Sequence, residues 1–128
     1  MIKLPNIVIE NSNLSFMDME NIVFTNAQLN NTGFQASTLA GAHFLLANLN
    51  GADFGGADLT KANLAGAKLI NADLTGADLT GANLFGADLF GAHLIGADLT
   101  DAKLTDAVFT DSILKGTILD GTDLTKNL

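Results

Sequence analysis

The side chains of this 128-residue chain that could do chemistry are carboxylates, threonines and two histidines. Asp58, Asp78 and Asp98 recur every 20 residues, and Thr60, Thr80 and Thr100 follow them at the same interval. A carboxylate pair does acid/base work only where its two environments push the pKa values apart. A column of solvated aspartates lacks that difference. Carboxylates bind Ca²⁺ where six to eight oxygens converge, and a flat column offers few per ion. His43 and His93 are 50 residues apart, two and a half turns of the winding derived below. That places them on opposite faces, so they neither share a metal nor act as a pair. Cys, Tyr, Trp and Arg are all missing, and none of Ser12, Ser15, Ser37 and Ser112 has a histidine beside it. There is no phosphate-cradling glycine loop, because the glycines belong to the five-residue repeat or border it. We expect no catalysis, no cofactor and no metal.

What must position these side chains is a repeat. Every fifth residue from Leu4 to Leu124 is apolar, in a chain that is 48% hydrophobic overall. Two residues before each centre lies a small side chain, unbroken from Ala42 to Ala107. Two residues after it lies, at 20 of 25 units, a turn former: Gly at 11, Asn at six, and Asp at Asp101, Asp106 and Asp111. These types tolerate the positive φ that the third residue of a type II turn needs. The period matches neither a helix nor a strand. It describes a short extended stub and a bend, with the residues at i and i+2 of the stub on one face. If each stub turns the chain by about a right angle, four close a coil of 20 residues, and coils stack at the strand spacing of about 4.8 Å. The predicted fold is all-β: about six coils whose axis is filled by alternating large and small side chains.

Units such as Ala72-Asp73-Leu74, Ala77-Asp78-Leu79 and Ala82-Asn83-Leu84 resemble those of the pentapeptide-repeat proteins. The resemblance covers nearly the whole chain. It implies a right-handed quadrilateral β-helix, the handedness and square section coming from the family rather than from the spacing. Certain relatives that protect DNA gyrase from quinolones are thought to imitate duplex DNA. That makes a DNA-mimicking modulator of a type II topoisomerase the alternative to our main expectation. The main expectation is a non-enzymatic, rod-shaped interaction or scaffold protein whose partner is another protein.

The chain reads as one domain, with a wider amino-terminal capping coil over 1–21, regular coils over 22–124 and a tail at 125–128. The capping coil is inferred from Ile2, Ile7, Met17 and Ile22, bulky residues in the small column, which we expect to plug the open end. At the other end Val108, Ile113 and Ile118 replace polar residues on three successive faces. An open, apolar solenoid end invites association, so a homodimer through the carboxyl-terminal coil is expected. Asp58, Asp78 and Asp98 form one candidate partner surface. The outward or corner positions Leu45, Leu46, Ile70, Phe85, Phe90 and Ile95 are apolar. Phe85, Phe90 and Ile95 should lie on three different faces of the fifth coil, and Ile70 one coil from Phe90 on the same face. Ile70, Phe85 and Phe90 are therefore further candidate partner residues. Net charge is −8 with six lysines, so direct binding to a phosphate backbone is not expected. The amino terminus lacks a signal-peptide pattern and no apolar run approaches bilayer length, so we expect a cytoplasmic protein without a membrane partner.

Overall fold

The computed structural model describes residues 1–124. Each five-residue unit is a stub closed by a tight turn. From Met19 onward the carbonyl of the apolar centre accepts the N–H three residues on, as in Ala47 N–H to Phe44 O at 2.9 Å. The residue two past the centre has positive φ at every unit from Asn6 to Gly121. This is the turn chemistry read from the glycines and asparagines. It also holds at Phe16, Ala36, Leu46 and Lys61, whose side chains do not favour it.

Four turns make one coil, and each residue before a centre pairs in parallel with the residue 20 positions on, from Lys3 with Val23 to Asp98 with Ile118. Bonds run from both sides of the stub: His43 N–H donates to Ile22 O at 2.9 Å, and Phe44 N–H to Asn63 O at 2.7 Å. The backbone groups are thereby satisfied between coils. Four faces result, named here by their first centres: the Leu4, Ile9, Leu14 and Met19 faces. Residues 2–21 form the first coil, and successive blocks of 20 form the second to the sixth.

The centres and the small column fill the axis, and from Phe24 to Leu104 they are almost wholly buried. Phe24 stacks on Phe44 with centroids 5.5 Å apart, and Phe34 on Phe54 at 4.9 Å. The two stacks come from opposite faces and meet edge to face across the axis, as Phe44 and Phe54 do at 5.8 Å. Edge-to-face contact is the favourable geometry for rings that cannot lie parallel. The two buried hydroxyls of the small column bond to the coil before. Thr32 Oγ1 donates to Ile9 O at 2.9 Å and Ser37 Oγ to Leu14 O at 2.7 Å. A buried hydroxyl costs stability only when unpaired, so both fit among alanines.

The first coil is wound at the same 20-residue register as the others. What sets it apart is side-chain bulk: Ile2 and Met17 are exposed, Ile7 is half-buried and Ile22 is buried beneath them. In the sixth coil Phe109, Leu114 and Leu119 are half-buried. The expected tail at 125–128 lies outside the described residues. Among the described residues no helix is long and apolar enough to cross a membrane.

Candidate functional site

The outward columns lie on either side of each centre; the one before it holds most of the carboxylates, and Glu10, Glu20 and Asp120 lie in the one after it. Asp58, Asp78 and Asp98 are bridged neighbours on the Met19 face, as their spacing predicted. The structure adds a role for them that the spacing did not reveal. Each Oδ1 accepts the N–H of the residue two positions on: Thr60 at 3.0 Å, Thr80 at 3.0 Å and Thr100 at 2.9 Å. Asp73 and Asp88 make the same bond, and so do Asn63 and Asn83. This Asx-type bond holds the backbone as it enters the turn. Asp and Asn alternate freely in this column because both present the same oxygen, and that alternation was the available signal.

The threonine hydroxyls join in at two levels, Thr60 Oγ1 donating to Asp58 Oδ1 at 2.8 Å and Thr100 Oγ1 to Asp98 Oδ1 at 2.5 Å. The Thr100 hydroxyl, and then its backbone N–H, hold the Asp98 carboxyl below the ordinary carboxylate value by stabilising its charged form. Asp58 and Asp98 are half-buried and Asp78 is exposed. On the Leu14 face the Gln35 amide also donates to Asp53.

The apolar candidates divide between two faces. Phe85 is 51% exposed on the Leu4 face, with Ala65 and Leu45 below it in the same column. Phe90 is 41% exposed on the Ile9 face. Ile70 is its neighbour one coil earlier, as expected, but is half-buried rather than open. The reason is a side-chain ladder beneath it: Asn30 Oδ1 accepts Asn50 N–H at 3.0 Å, and Asn50 Oδ1 accepts Ile70 N–H at 2.9 Å. Beside this ladder Asn48 Nδ2 donates to Gln28 Oε1 at 3.2 Å. Ile95 is exposed on the Leu14 face, so Phe85, Phe90 and Ile95 form no single patch. Val108, Ile113 and Ile118 are all exposed on three faces of the sixth coil. His43 and His93 stand on the opposed Leu4 and Leu14 faces. Among the described residues, no three His, Cys, Asp or Glu side chains are grouped to hold a metal ion.

A closed stack of four-sided coils with outward carboxylates and an apolar axis defines a β-helical solenoid. The profile for pentapeptide repeats matches eight copies over residues 28–64, 47–89 and 87–125, and the chain belongs to that family. Its fold is the right-handed quadrilateral β-helix. A pentapeptide repeat protein of the Arabidopsis thaliana thylakoid lumen is 36% identical, with 73% of this chain and 68% of that one covered and a TM-score of 0.63. One from Nostoc Pcc 7120 is 43% identical over 59% of this chain and 62% of its own, with a TM-score of 0.58. QnrB1, a plasmid-mediated fluoroquinolone resistance protein, shares the fold at 20% identity, 94% and 81% coverage and a TM-score of 0.51. A comparison with curated proteins finds no match.

Proposed function

We propose that this protein is a non-enzymatic rod that works by presenting its faces to another protein. The observation that supports this most directly is the unbroken 20-residue register. It stacks like positions into straight outward columns, so each face is a linear array of side chains at strand spacing. Such a surface suits recognition of an extended partner face. The apolar Phe85 and Phe90 are the anchors of this reading, since aromatic side chains dominate interface energetics.

A second reading has one specific observation in its favour. Asp58, Asp78 and Asp98 hold a straight line of carboxylates on a rod of net charge −8. That geometry fits a DNA mimic acting on a type II topoisomerase. Two variants separate the readings. Asp58/Asp78/Asp98→Asn removes the charge and keeps the oxygen that caps each turn. Phe85/Phe90→Ser removes the anchors and keeps the charge. In a capture experiment with tagged protein and lysate, the scaffold reading expects a partner that the Ser variant loses and the Asn variant keeps. The mimic reading expects inhibition of purified gyrase by the wild type, lost in the Asn variant and weakened by salt. No retained partner, together with no effect on gyrase, would sink both.

A further inference from the structure

The Ile9 face is unlike the other three in how its charges are placed. Across the second to fifth coils its outward columns read Gln28, Asn48, Lys68, Asp88 before the centre and Asn30, Asn50, Ile70, Phe90 after it. Lys68 and Asp88 are the charged residues in that stretch, they cancel, and they are bridged neighbours. The fourth coil therefore presents a cation beside Ile70, and the fifth an anion beside Phe90. The corners flanking these coils are low. Gly86 leaves one side open, with the Leu46 side chain lying over Gly66 below it, and on the other side the Asn71 amide lies down over Gly91. Asp18, Glu20, Asp58, Asp78, Asp98 and Asp120 all belong to the Met19 face, on the far side of the rod.

We propose that the Ile9 face is a self-association surface, on which a second copy of this chain packs face to face and antiparallel. The two-fold axis lies between the fourth and fifth coils. Such an axis keeps each column opposite itself and reverses the order of the coils. Lys68 then meets Asp88 of the second copy, and Asp88 meets its Lys68. In the same arrangement Ile70 meets the second copy's Phe90, twice over. Both pairs have the same one-coil offset, so one register satisfies all four contacts. This is the self-complementary pattern that an isologous interface requires. A parallel arrangement would swap the two columns and set Lys68 against Ile70 and Asp88 against Phe90, which leaves the charges unpaired. Two chains of charge −8 also repel least when their Met19 faces point apart. The dimer covers Phe90, so of the two aromatic anchors Phe85 on the Leu4 face stays open to another protein, as does the whole Met19 face.

The surface is small. With the axis between the fourth and fifth coils only the third to sixth coils overlap, about 19 Å at the strand spacing of about 4.8 Å and one stub wide. That falls below the ~1,200 Å² of a standard stable interface, so the dimer is reversible. The test is sedimentation equilibrium on the pure full chain from about 10 μM to about 1 mM, the range where contacts of this size show. The wild type should rise towards twice its 13.3 kDa mass. Lys68→Asp and Asp88→Lys should each weaken association about tenfold or more, as unpaired like charges do. The double swap, Lys68→Asp/Asp88→Lys, should restore it to near wild type. Both residue types occur before the centre on other faces, Lys103 on the Leu4 face and Asp73 on the Leu14 face. Asp88→Lys also gives up the bond to Phe90 N–H, so circular dichroism melts check that each variant folds. A strictly monomeric wild type would overturn the proposal. So would single swaps without effect, a double swap without rescue, or a dimer lost with Ile118→Ser but kept with Lys68→Asp. The readout is the mass of purified protein, so it stands or falls separately from the partner reading above.

Discussion

A single aspartate in this molecule answers to two demands. Its Oδ1 caps the turn that follows, and its second oxygen supplies charge to a face. Asp98 shows the first demand most clearly, because the Thr100 hydroxyl and N–H both donate to it and lower its pKa. A group with a folded pKa below its unfolded one contributes stability above the unfolded value, about 3.9 for Asp. That contribution is lost as pH falls through the folded value. We predict that the Asp98 carboxyl, followed by NMR through an acid titration, has a midpoint below the usual range. Thr100→Val should move that midpoint up, because the larger of the two causes is removed. A midpoint unmoved by Thr100→Val would show that the hydroxyl does not set it. The same duality makes Asn the informative replacement in this column: it keeps the cap and deletes the charge.

The turn is the element on which the winding depends. Positive φ is cheap for Gly and costs other residues about 1–2 kcal/mol. Ala36, at φ 53°, is exposed and in that conformation. Ala36→Gly should stabilise the fold by about 0.5–1 kcal/mol after the added unfolded-state freedom of Gly is subtracted. Gly76 is the converse test, since a Cβ there would meet nothing within 4 Å and only backbone strain remains. Gly76→Ala should destabilise by about 1 kcal/mol, and thermal melts of the pair should move in opposite directions. The apolar centres made the faces legible in the sequence, because a constant winding copies sequence period into space. The vertical neighbours Asp58, Asp78 and Asp98 followed from that alone. What local reading missed was set by neighbouring coils. Leu46 and Lys61 take the left-handed conformation because the units on either side impose the register, against their own preference. Phe90 follows Ile70 in the column as its spacing predicted, but the Asn30–Asn50 side-chain ladder under Ile70, which half-buries it, is not displayed by the spacing. The turn-capping bond of the aspartates was visible only as the exchange of Asp with Asn.

The molecule as a whole has a one-dimensional core. A solenoid coil is held by the coils above and below it, and interior coils have both. The first and sixth have weaker cores: Ile9 and Leu14 are half-buried at one end, Phe109 and Leu114 at the other. Hydrogen exchange measured by mass spectrometry should therefore find the slowest amides in the second to fifth coils. The first and sixth should exchange about tenfold faster or more, since end units open without disrupting the rest. Uniform protection along the rod would mean that it opens as one block instead. The 20-residue register carries a further consequence for chains of different length. A 20-residue insertion lengthens the rod and leaves every column where it was. A five-residue insertion after Lys61 turns all later units by a quarter revolution, carrying Asp78 and Asp98 off the column of Asp58. Lys68 and Asp88 would travel together and stay stacked, on a different side. Length thus acts as a dial: the phase of an insertion, more than its composition, decides which surfaces remain aligned and which are broken into a spiral.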